Sequence, residues 1–288
     1  MTDGPAASMP LDLFLVRHGQ SEGNVALEAA KAGDLSMMTD AYLTRSAADY
    51  RLTDLGRAQA AGAGAWLRSW LDATGVQRFD RLYCSPYVRA RETAAHLALP
   101  NAAWQLEPLL RERDWGLWEG LGRDETADRF PESTAQKRRN RFLWRPESGE
   151  STPDLDMRAR EVLGTLAREL PAGRVLCVTH EDVMWAFRFR LEKLSIEEWI
   201  EIVEDDDRGK IPNCGILHYT RVDDSGVMHE RFHRVRLVDP ADPVSAQCST
   251  IERPRFTNEQ LLAQVDEVLP LLPAATTTEN LTSGDSNS

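Results

Sequence analysis

Short apolar runs alternate along the chain with longer stretches whose apolar residues recur at helical spacing. The runs predict buried strands at residues 11–17, 82–84, 102–106 and 174–178. The longer stretches predict helices at residues 25–32, 54–73, 86–99, 152–170 and 181–190. Because strands alternate with helices, the pattern favours an α/β fold with a largely parallel sheet.

Local signals mark where several of these helices begin. Thr53 is a plausible N-cap, and Pro86 suits the first position of the helix that follows it. Capping boxes at residues 195–198 and 257–260 predict two further helices, the second of which reaches residue 272. The apolar residues predicted to mark the buried face of the helix after Thr53 are Leu55, Ala58, Ala65, Trp66 and Trp70.

The C-terminal third adds a hairpin pattern. Residues 215–222 and 227–236 alternate around a turn at 223–226 and would add antiparallel edge strands to the sheet. Residues 1–10 are predicted to be a flexible leader, and the Thr, Ser, Asn and Gly-rich residues 273–288 a disordered tail. We therefore expect a single α/β domain at residues 11–272.

Composition narrows the class of protein. The chain has 288 residues, 42% of them hydrophobic, and a formal net charge of -12. That charge disfavours nucleic acid and anionic membranes as partners, and no apolar run approaches the roughly 20 residues that span a bilayer. The four cysteines show no metal-ligand spacing. These features predict a cytoplasmic protein, and they indicate no particular oligomeric state.

The first strand ends in residues suited to phosphoryl chemistry. Arg17 and His18 follow the apolar run, then Gly19 breaks it, and Ser21 and Asn24 come directly after. The carboxyl edge of a parallel sheet is where α/β proteins bind ligands. Arginine binds phosphate oxygens bidentately, and histidine can attack phosphorus as a nucleophile.

This motif, Arg17-His18-Gly19 with Ser21 and Asn24, resembles the signature of the histidine phosphatase superfamily, which includes the phosphoglycerate mutases. Four more segments resemble the family in the same order, at residues 52–60, 85–93, 110–120 and 175–180. The resemblance extends over about residues 11–237. It implies a three-layer sandwich, in which a mostly parallel central sheet carries helices on both faces and insertions form a small cap.

The resemblance assigns His18 as the nucleophile that forms a phosphohistidine. Arg17 and Arg89 become the phosphate clamp, because fixed cations stabilise the charge on a transferring phosphoryl group. Arg89 is placed one turn into its helix, and Arg91 is the rival on another helix face. His180, after the second apolar strand, would bind the phosphoryl group. The family usually has glycine next, whereas this chain has Glu181.

Glu112 is the predicted general acid, and Glu119 is its rival. A carboxylic acid that protonates a leaving group and then activates water needs a raised pKa. The flanking Arg111 and Arg113 would oppose that, so we expect their charges to face away from it. Ser21 and Asn24 are expected to contact the substrate phosphate, or alternatively only to cap the helix that begins there.

Two weaker segments resemble the broad-range acid phosphatases of the fungal type: Gly149-Glu150-Ser151 with Arg158 behind it, and Pro212-Asn213-Cys214-Gly215. The simpler interpretation is that the first segment is a loop and that Pro212-Asn213 is a turn. The basic segment at residues 137–145 is either a solvated helix face or a contact for a second anionic group.

The predicted function is hydrolysis of a small phosphorylated substrate by a phosphomonoesterase. No metal cluster or glycine-rich nucleotide fingerprint is visible in the sequence, so no cofactor is predicted. One alternative is a phosphoglycerate-mutase-like isomerase. A second alternative is a catalytically silent protein that binds a phosphorylated ligand on the same fold.

Overall fold

The computed structural model describes residues 9–205 and 209–266. One compact unit ends at Glu252 and a second begins at Arg253, earlier than the predicted domain end at residue 272. Residues 1–8 of the predicted leader and the whole predicted tail lie outside the described residues. Within the described ranges, no helix combines the length and apolarity needed to cross a membrane.

A single mixed sheet forms the centre of the first unit. The strands of the described residues are β1 Asp12–Arg17, β2 Arg81–Cys84, β3 Trp104–Leu106, β4 Arg174–Thr179, β5 Ile216–Thr220, β6 Arg234–Asp239 and β7 Asp242–Thr250. Their spatial order is β3-β2-β4-β1-β5-β6-β7. The pairs from β3 to β1 are parallel, and those from β1 to β7 are antiparallel.

Helices connect and cover these strands. Their bounds are α1 Glu22–Lys31, α2 Asp40–Leu43, α3 Asp54–Thr74, α4 Val88–His96, α5 Arg123–Arg129, α6 Pro131–Arg139, α7 Thr152–Glu169, α8 Glu181–Glu192, α9 Ile196–Glu204 and α10 Asn258–Asp266. Short 3₁₀ turns occur at Ala47–Asp49, Pro108–Leu110 and Gly116–Trp118. The predicted caps of α3, α9 and α10 are confirmed, since Thr53, Ser195 and Thr257 each accept a backbone N–H bond.

The alternation of side chains along β1 explains the three layers. Leu13 and Leu15 point to one face, where they pack in a cluster with residues of α7, α8 and α9. Phe14 and Val16 point to the other face and pack with residues of α3 and α4. Because successive strand residues face opposite sides, a strand this apolar must be buried on both. The predicted α/β sandwich with helices on both faces is confirmed.

The buried face of α3 differs from the prediction. Leu55, Ala58 and Ala65 are exposed, and Trp66 and Trp70 are only partly buried. The buried residues are Gly56, Ala60, Ala63, Gly64, Leu67 and Leu71. Gly64 is small because the backbone at the end of α4 approaches closely there: a Cβ on Gly64 would lie 2.0 Å from the carbonyl oxygen of Leu97.

Two element boundaries were also wrong. Helix α4 begins at Val88 after Tyr87 as N-cap, not at Pro86. The second strand of the hairpin begins at Arg234 rather than at residue 227, because His229 and His233 donate backbone N–H bonds to Arg221 and Thr220 and hold the intervening chain irregular. Strand β7 was not predicted.

Candidate active site

Two histidines meet at the carboxyl edge of the sheet. Strands β1 and β4 are parallel neighbours in which Arg17 pairs with Thr179, so the next residues, His18 and His180, leave the sheet side by side. Their ring centroids are 5.1 Å apart. Both side chains are buried. The structure therefore brings together the two histidines that the sequence singled out.

The imidazole of His18 is neutral and oriented. Its Nδ1 lies 2.7 Å from the carbonyl oxygen of Gly19, which fixes the proton on Nδ1 as the donor. Nε2 then carries the lone pair and accepts a bond of 3.1 Å from Nε of Arg89. Burial lowers the pKa of His18 well below its ordinary value, and the charges of Arg89 and Arg17 lower it further. A neutral imidazole with an available Nε2 is the nucleophilic form.

The turn after His18 depends on close backbone packing. A Cβ on Gly19 would lie 2.4 Å from the carbonyl oxygen of Gly56, and a Cβ on Gly56 would lie 2.0 Å from that of Gln20. The N–H of Gly19 donates to Oγ1 of Thr93 at 3.0 Å. The start of α3 is therefore packed directly onto the loop that carries His18.

Arg89 lies at the centre of the site. It is buried, and it is the second residue of α4 rather than one turn into it. Besides His18, its guanidinium donates to the carbonyl oxygen of Ala47 at 2.6 Å and lies 3.5 Å from Oε2 of Glu112. Its rival Arg91 is exposed. The geometry thus favours Arg89 as the clamp residue.

Arg17 is the second buried guanidinium, and it already has an anionic partner. Its Nη2 lies 2.8 Å from Oε2 of Glu181, and its Nη1 donates to the carbonyl oxygen of Ile211. Oε1 of Glu181 accepts the Ile211 N–H at 3.0 Å. The residue that departs from the family pattern therefore contacts the predicted clamp directly, which the sequence did not predict.

Glu112 has the properties of a general acid. Its Oε2 lies 3.4 Å from Nδ1 of His180, and its Oε1 accepts the Arg113 N–H at 2.9 Å. Burial, and then the charge of Asp182, raise its pKa from the ordinary value of 4.5 to about 7. The rival Glu119 is exposed. At neutral pH Glu112 can therefore both donate and accept a proton.

The arginines around Glu112 bind Glu150. Arg111 donates to both carboxylate oxygens of Glu150 at 2.8 Å, and Arg158 donates to Oε2 at 3.0 Å. Arg113 donates to the Glu150 carbonyl oxygen at 2.8 Å. These contacts agree with the expectation that the flanking charges face away from the Glu112 carboxylate, and they give the Glu150 segment a specific role.

Ser85 orients the second histidine, a role that the sequence did not predict. Its Oγ accepts the Tyr87 N–H and lies 2.8 Å from Nε2 of His180. Because a carboxylate oxygen of Glu112 faces Nδ1 at 3.4 Å, we assign the hydroxyl as the donor to Nε2. The proton of the imidazole is then on Nδ1, toward Glu112. Burial, then the charge of Arg89, lower the pKa of His180 well below its ordinary value. His180 is thus a neutral hydrogen-bond donor.

Ser21 and Asn24 cap α1. The Asn24 N–H donates to Oγ of Ser21 at 3.3 Å, and the Ser21 N–H donates to Oδ1 of Asn24 at 3.1 Å. The Asn213 amide also donates to Oδ1 of Asn24 and to the carbonyl oxygen of His18. Both residues therefore cap α1, and their contact with substrate stays a prediction.

The described residues bring histidine and carboxylate atoms within 4.8 Å of one another in two clusters. His18, Glu112 and His180 lie beside the guanidinium groups of Arg17 and Arg89, which favour an anion over a cation. The second cluster is Asp223, His229 and His233. There the imidazole rings of His229 and His233 stack with centroids 3.9 Å apart and planes inclined by 6°, so one ion cannot lie in both ring planes as metal ligation requires. We propose no metal for either cluster.

Comparison with known proteins identifies the family. The sequence model of the histidine phosphatase superfamily (branch 1) matches residues 13–227. The 2,3-bisphosphoglycerate-dependent phosphoglycerate mutase of Bartonella tribocorum is 31% identical over 194 residues, 65% of this chain and 84% of the mutase. The 6-phosphofructo-2-kinase/fructose-2,6-bisphosphatase of Caenorhabditis elegans is 30% identical over 61% of this chain, but the match spans only 33% of that protein.

Solved structures share the fold. A putative alpha-ribazole-5'-P phosphatase from Escherichia coli matches with a TM-score of 0.58 and 17% identity, covering 86% of this chain and 98% of the other. A mycobacterial glucosyl-3-phosphoglycerate phosphatase matches with a TM-score of 0.54 and 24% identity, covering 72% and 92%.

Proposed function

We propose that this chain, which belongs to the histidine phosphatase superfamily, is a phosphomonoesterase that acts through a phosphohistidine at His18. One observation carries the proposal: a buried, neutral imidazole lies in the same site as a carboxyl group whose pKa is raised to about 7. The first group is a nucleophile at neutral pH, and the second is an acid that can become a base. Hydrolysis in two steps needs both.

In the first step, Nε2 of His18 attacks phosphorus and the bond from phosphorus to the leaving oxygen breaks. Arg89 shifts its Nε bond from Nε2 to a phosphoryl oxygen, and Arg17 and the Nδ1–H of His180 bind the remaining oxygens. Their fixed dipoles and charges stabilise the charge that develops in the transition state. Glu112 transfers its proton to the leaving oxygen, which departs as an alcohol.

In the second step, water attacks the phosphohistidine and the bond between phosphorus and Nε2 breaks. Glu112, now ionised, accepts a proton from that water and returns to its acid form. Inorganic phosphate leaves, and His18 is again neutral. The Gly19 carbonyl keeps the ring oriented throughout, because it accepts the Nδ1 proton.

A phosphoglycerate mutase is the second candidate. The observation that favours it is the similarity to the Bartonella tribocorum mutase, which the match covers over 84% of its length. A mutase would keep the phosphohistidine from water and return the phosphoryl group to a bound phosphoglycerate. The third candidate, a silent binding protein, is disfavoured because the predicted nucleophile, clamp and acid lie in one buried site.

A panel of phosphate esters tests these candidates. Release of inorganic phosphate from simple esters, without a bisphosphate primer, is the result that the phosphomonoesterase proposal predicts. Conversion of 3-phosphoglycerate to 2-phosphoglycerate, only with a primer and without phosphate release, would establish the mutase instead. Tight binding of inorganic phosphate without any turnover would establish the silent protein.

A further inference from the structure

Glu181 follows His180 directly, at the position where the family usually has glycine, and its carboxylate contacts Arg17. We infer that Glu181 is a built-in competitor of phosphate for Arg17, which weakens the hold of the site on phosphate and favours product release. The inference deepens the proposed function and rests on it. It makes Glu181 a residue that determines how strongly the site retains an anion.

The contacts of Arg17 form a closed ring with Glu181 and Ile211. Glu181 binds Nη2 of Arg17 with Oε2 and accepts the Ile211 N–H with Oε1, while Nη1 of Arg17 donates to the Ile211 carbonyl. Each terminal nitrogen of Arg17 therefore already has one protein partner. Within the described ranges, its Nε is buried without a hydrogen-bond partner. An oxyanion that binds Arg17 bidentately must displace Glu181 or share the guanidinium with it.

The other clamp residue is held differently. Arg89 donates to two neutral acceptors, Nε2 of His18 and the Ala47 carbonyl oxygen. Exchanging a neutral acceptor for a phosphate oxygen improves the hydrogen bond, because charge-assisted bonds are stronger. If a phosphate oxygen replaces the Glu181 carboxylate on Arg17, one charge-assisted bond is exchanged for another, so there is no such gain. The displaced carboxylate also remains beside the phosphate, and the two negative charges repel each other. Arg89 also has a carboxylate neighbour, but Glu112 lies 3.5 Å from it, whereas Glu181 lies 2.8 Å from Arg17. The competition is therefore strongest at Arg17.

The charges that face Glu181 come from three elements. Arg17 at the end of β1 and Lys210 in the loop before Ile211 favour its ionised form, whereas Asp182 on its own helix opposes it. Burial has the largest effect and raises the pKa of Glu181 above its ordinary value of 4.5. Protonation of Glu181 removes the competing charge, so phosphate binding is expected to be coupled to proton uptake at this residue.

Weak retention of phosphate suits hydrolysis. A mutase must hold a bisphosphate while the phosphoryl group moves between two oxygens, whereas a phosphatase must release inorganic phosphate after each turnover. A carboxylate that competes for the clamp speeds dissociation of the product without touching the reacting atoms. Glu181 thus biases the proposed site toward the phosphatase reaction.

Titration calorimetry with inorganic phosphate tests the inference on the full chain. Glu181→Gln removes the charge with little change in size, and Glu181→Gly restores the usual family residue. Both are expected to bind phosphate about tenfold or more tightly than the wild type near pH 8, because an opposing charge within a few ångströms is removed. The difference in phosphate affinity between these variants and the wild type should narrow as the pH falls through the pKa of Glu181.

Glu197→Gln is the matched control, since it makes the same substitution at an exposed residue of α9 that is not among the contacts of Arg17 or Glu112. It should change phosphate affinity by less than about threefold. Unchanged or weaker binding in both Glu181 variants would overturn the inference while leaving the proposed function intact. Absence of phosphate binding to every protein, wild type included, would overturn the proposed function and the inference with it.

Discussion

Replacing Glu112 with glutamine tests the assignment of the general acid. The pKa of about 7 means that about half of the Glu112 side chains carry a proton at pH 7, against about 0.3% for an ordinary glutamic acid. The site thus raises the population of the acid form roughly 150-fold at that pH. Glutamine occupies the same space beside His180 and Arg89 but supplies no transferable proton.

Alkyl and nitrophenyl phosphates separate the two roles of Glu112. An alkyl leaving group needs a proton, so Glu112→Gln should lower kcat/KM for an alkyl phosphate by about 10²- to 10⁴-fold. A nitrophenol leaves without a proton, so Glu112→Gln should slow the transfer of the phosphoryl group from nitrophenyl phosphate to His18 much less. Water activation is impaired for either substrate, and a pre-steady-state burst of about one equivalent of nitrophenol is expected.

The pH profile supplies a second readout of the same change. In the wild type, kcat/KM for the alkyl phosphate should fall as the pH rises through about 7, because Glu112 loses the proton that the leaving group needs. The Glu112→Gln variant should lose this fall in kcat/KM above pH 7, and the control variant Glu119→Gln should keep it. Equal losses for alkyl and nitrophenyl phosphates, or a stronger effect of Glu119→Gln, would refute the assignment.

Two paired substitutions test the clamp and the packing of α3. Arg89→Ala should cost about 2–4 kcal/mol of transition-state stabilisation in kcat/KM, whereas the exposed Arg91→Ala should cost little; a larger loss for Arg91→Ala would contradict the site. Gly64→Ala should lower the free energy of unfolding in urea by about 1–3 kcal/mol, because its Cβ would meet a backbone carbonyl. Gly62→Ala should raise the free energy of unfolding by about 0.5–1 kcal/mol, because no atom lies within 4 Å of the added Cβ. Changes of the same sign in the two variants would contradict the close packing described at Gly64.

The placement of His18 and His180 at strand ends was predictable because it follows from short-range signals. An apolar run that ends at Arg17, and another that ends before His180, define two buried strands. Parallel strands present their carboxyl ends at one edge, so both histidines were expected at that edge. Their contact also requires β1 and β4 to be neighbours in the sheet, which local signals do not determine. Helix caps such as Thr53 are equally local, because the side chain bonds a backbone N–H three residues away.

Contacts between distant segments could not be predicted in this way. Periodicity alone pointed to the large apolar residues of α3, whereas the close approach of other chain segments selects Gly56 and Gly64 for burial. The contact between Glu181 and Arg17 depends on how the loop at Ile211 folds over both residues. The start of β6 likewise depends on bonds from His229 and His233 to β5 and its flank.

Trapping the phosphorylated enzyme tests the central claim most directly. The enzyme is mixed with a phosphate ester, quenched under alkaline conditions that preserve phosphohistidine, and the phosphorylated peptide is located by mass spectrometry. The account predicts one phosphoryl group on His18, and neither label nor turnover in a folded His18→Ala variant. A phosphoryl group on another residue, or substantial kcat in His18→Ala, would contradict it.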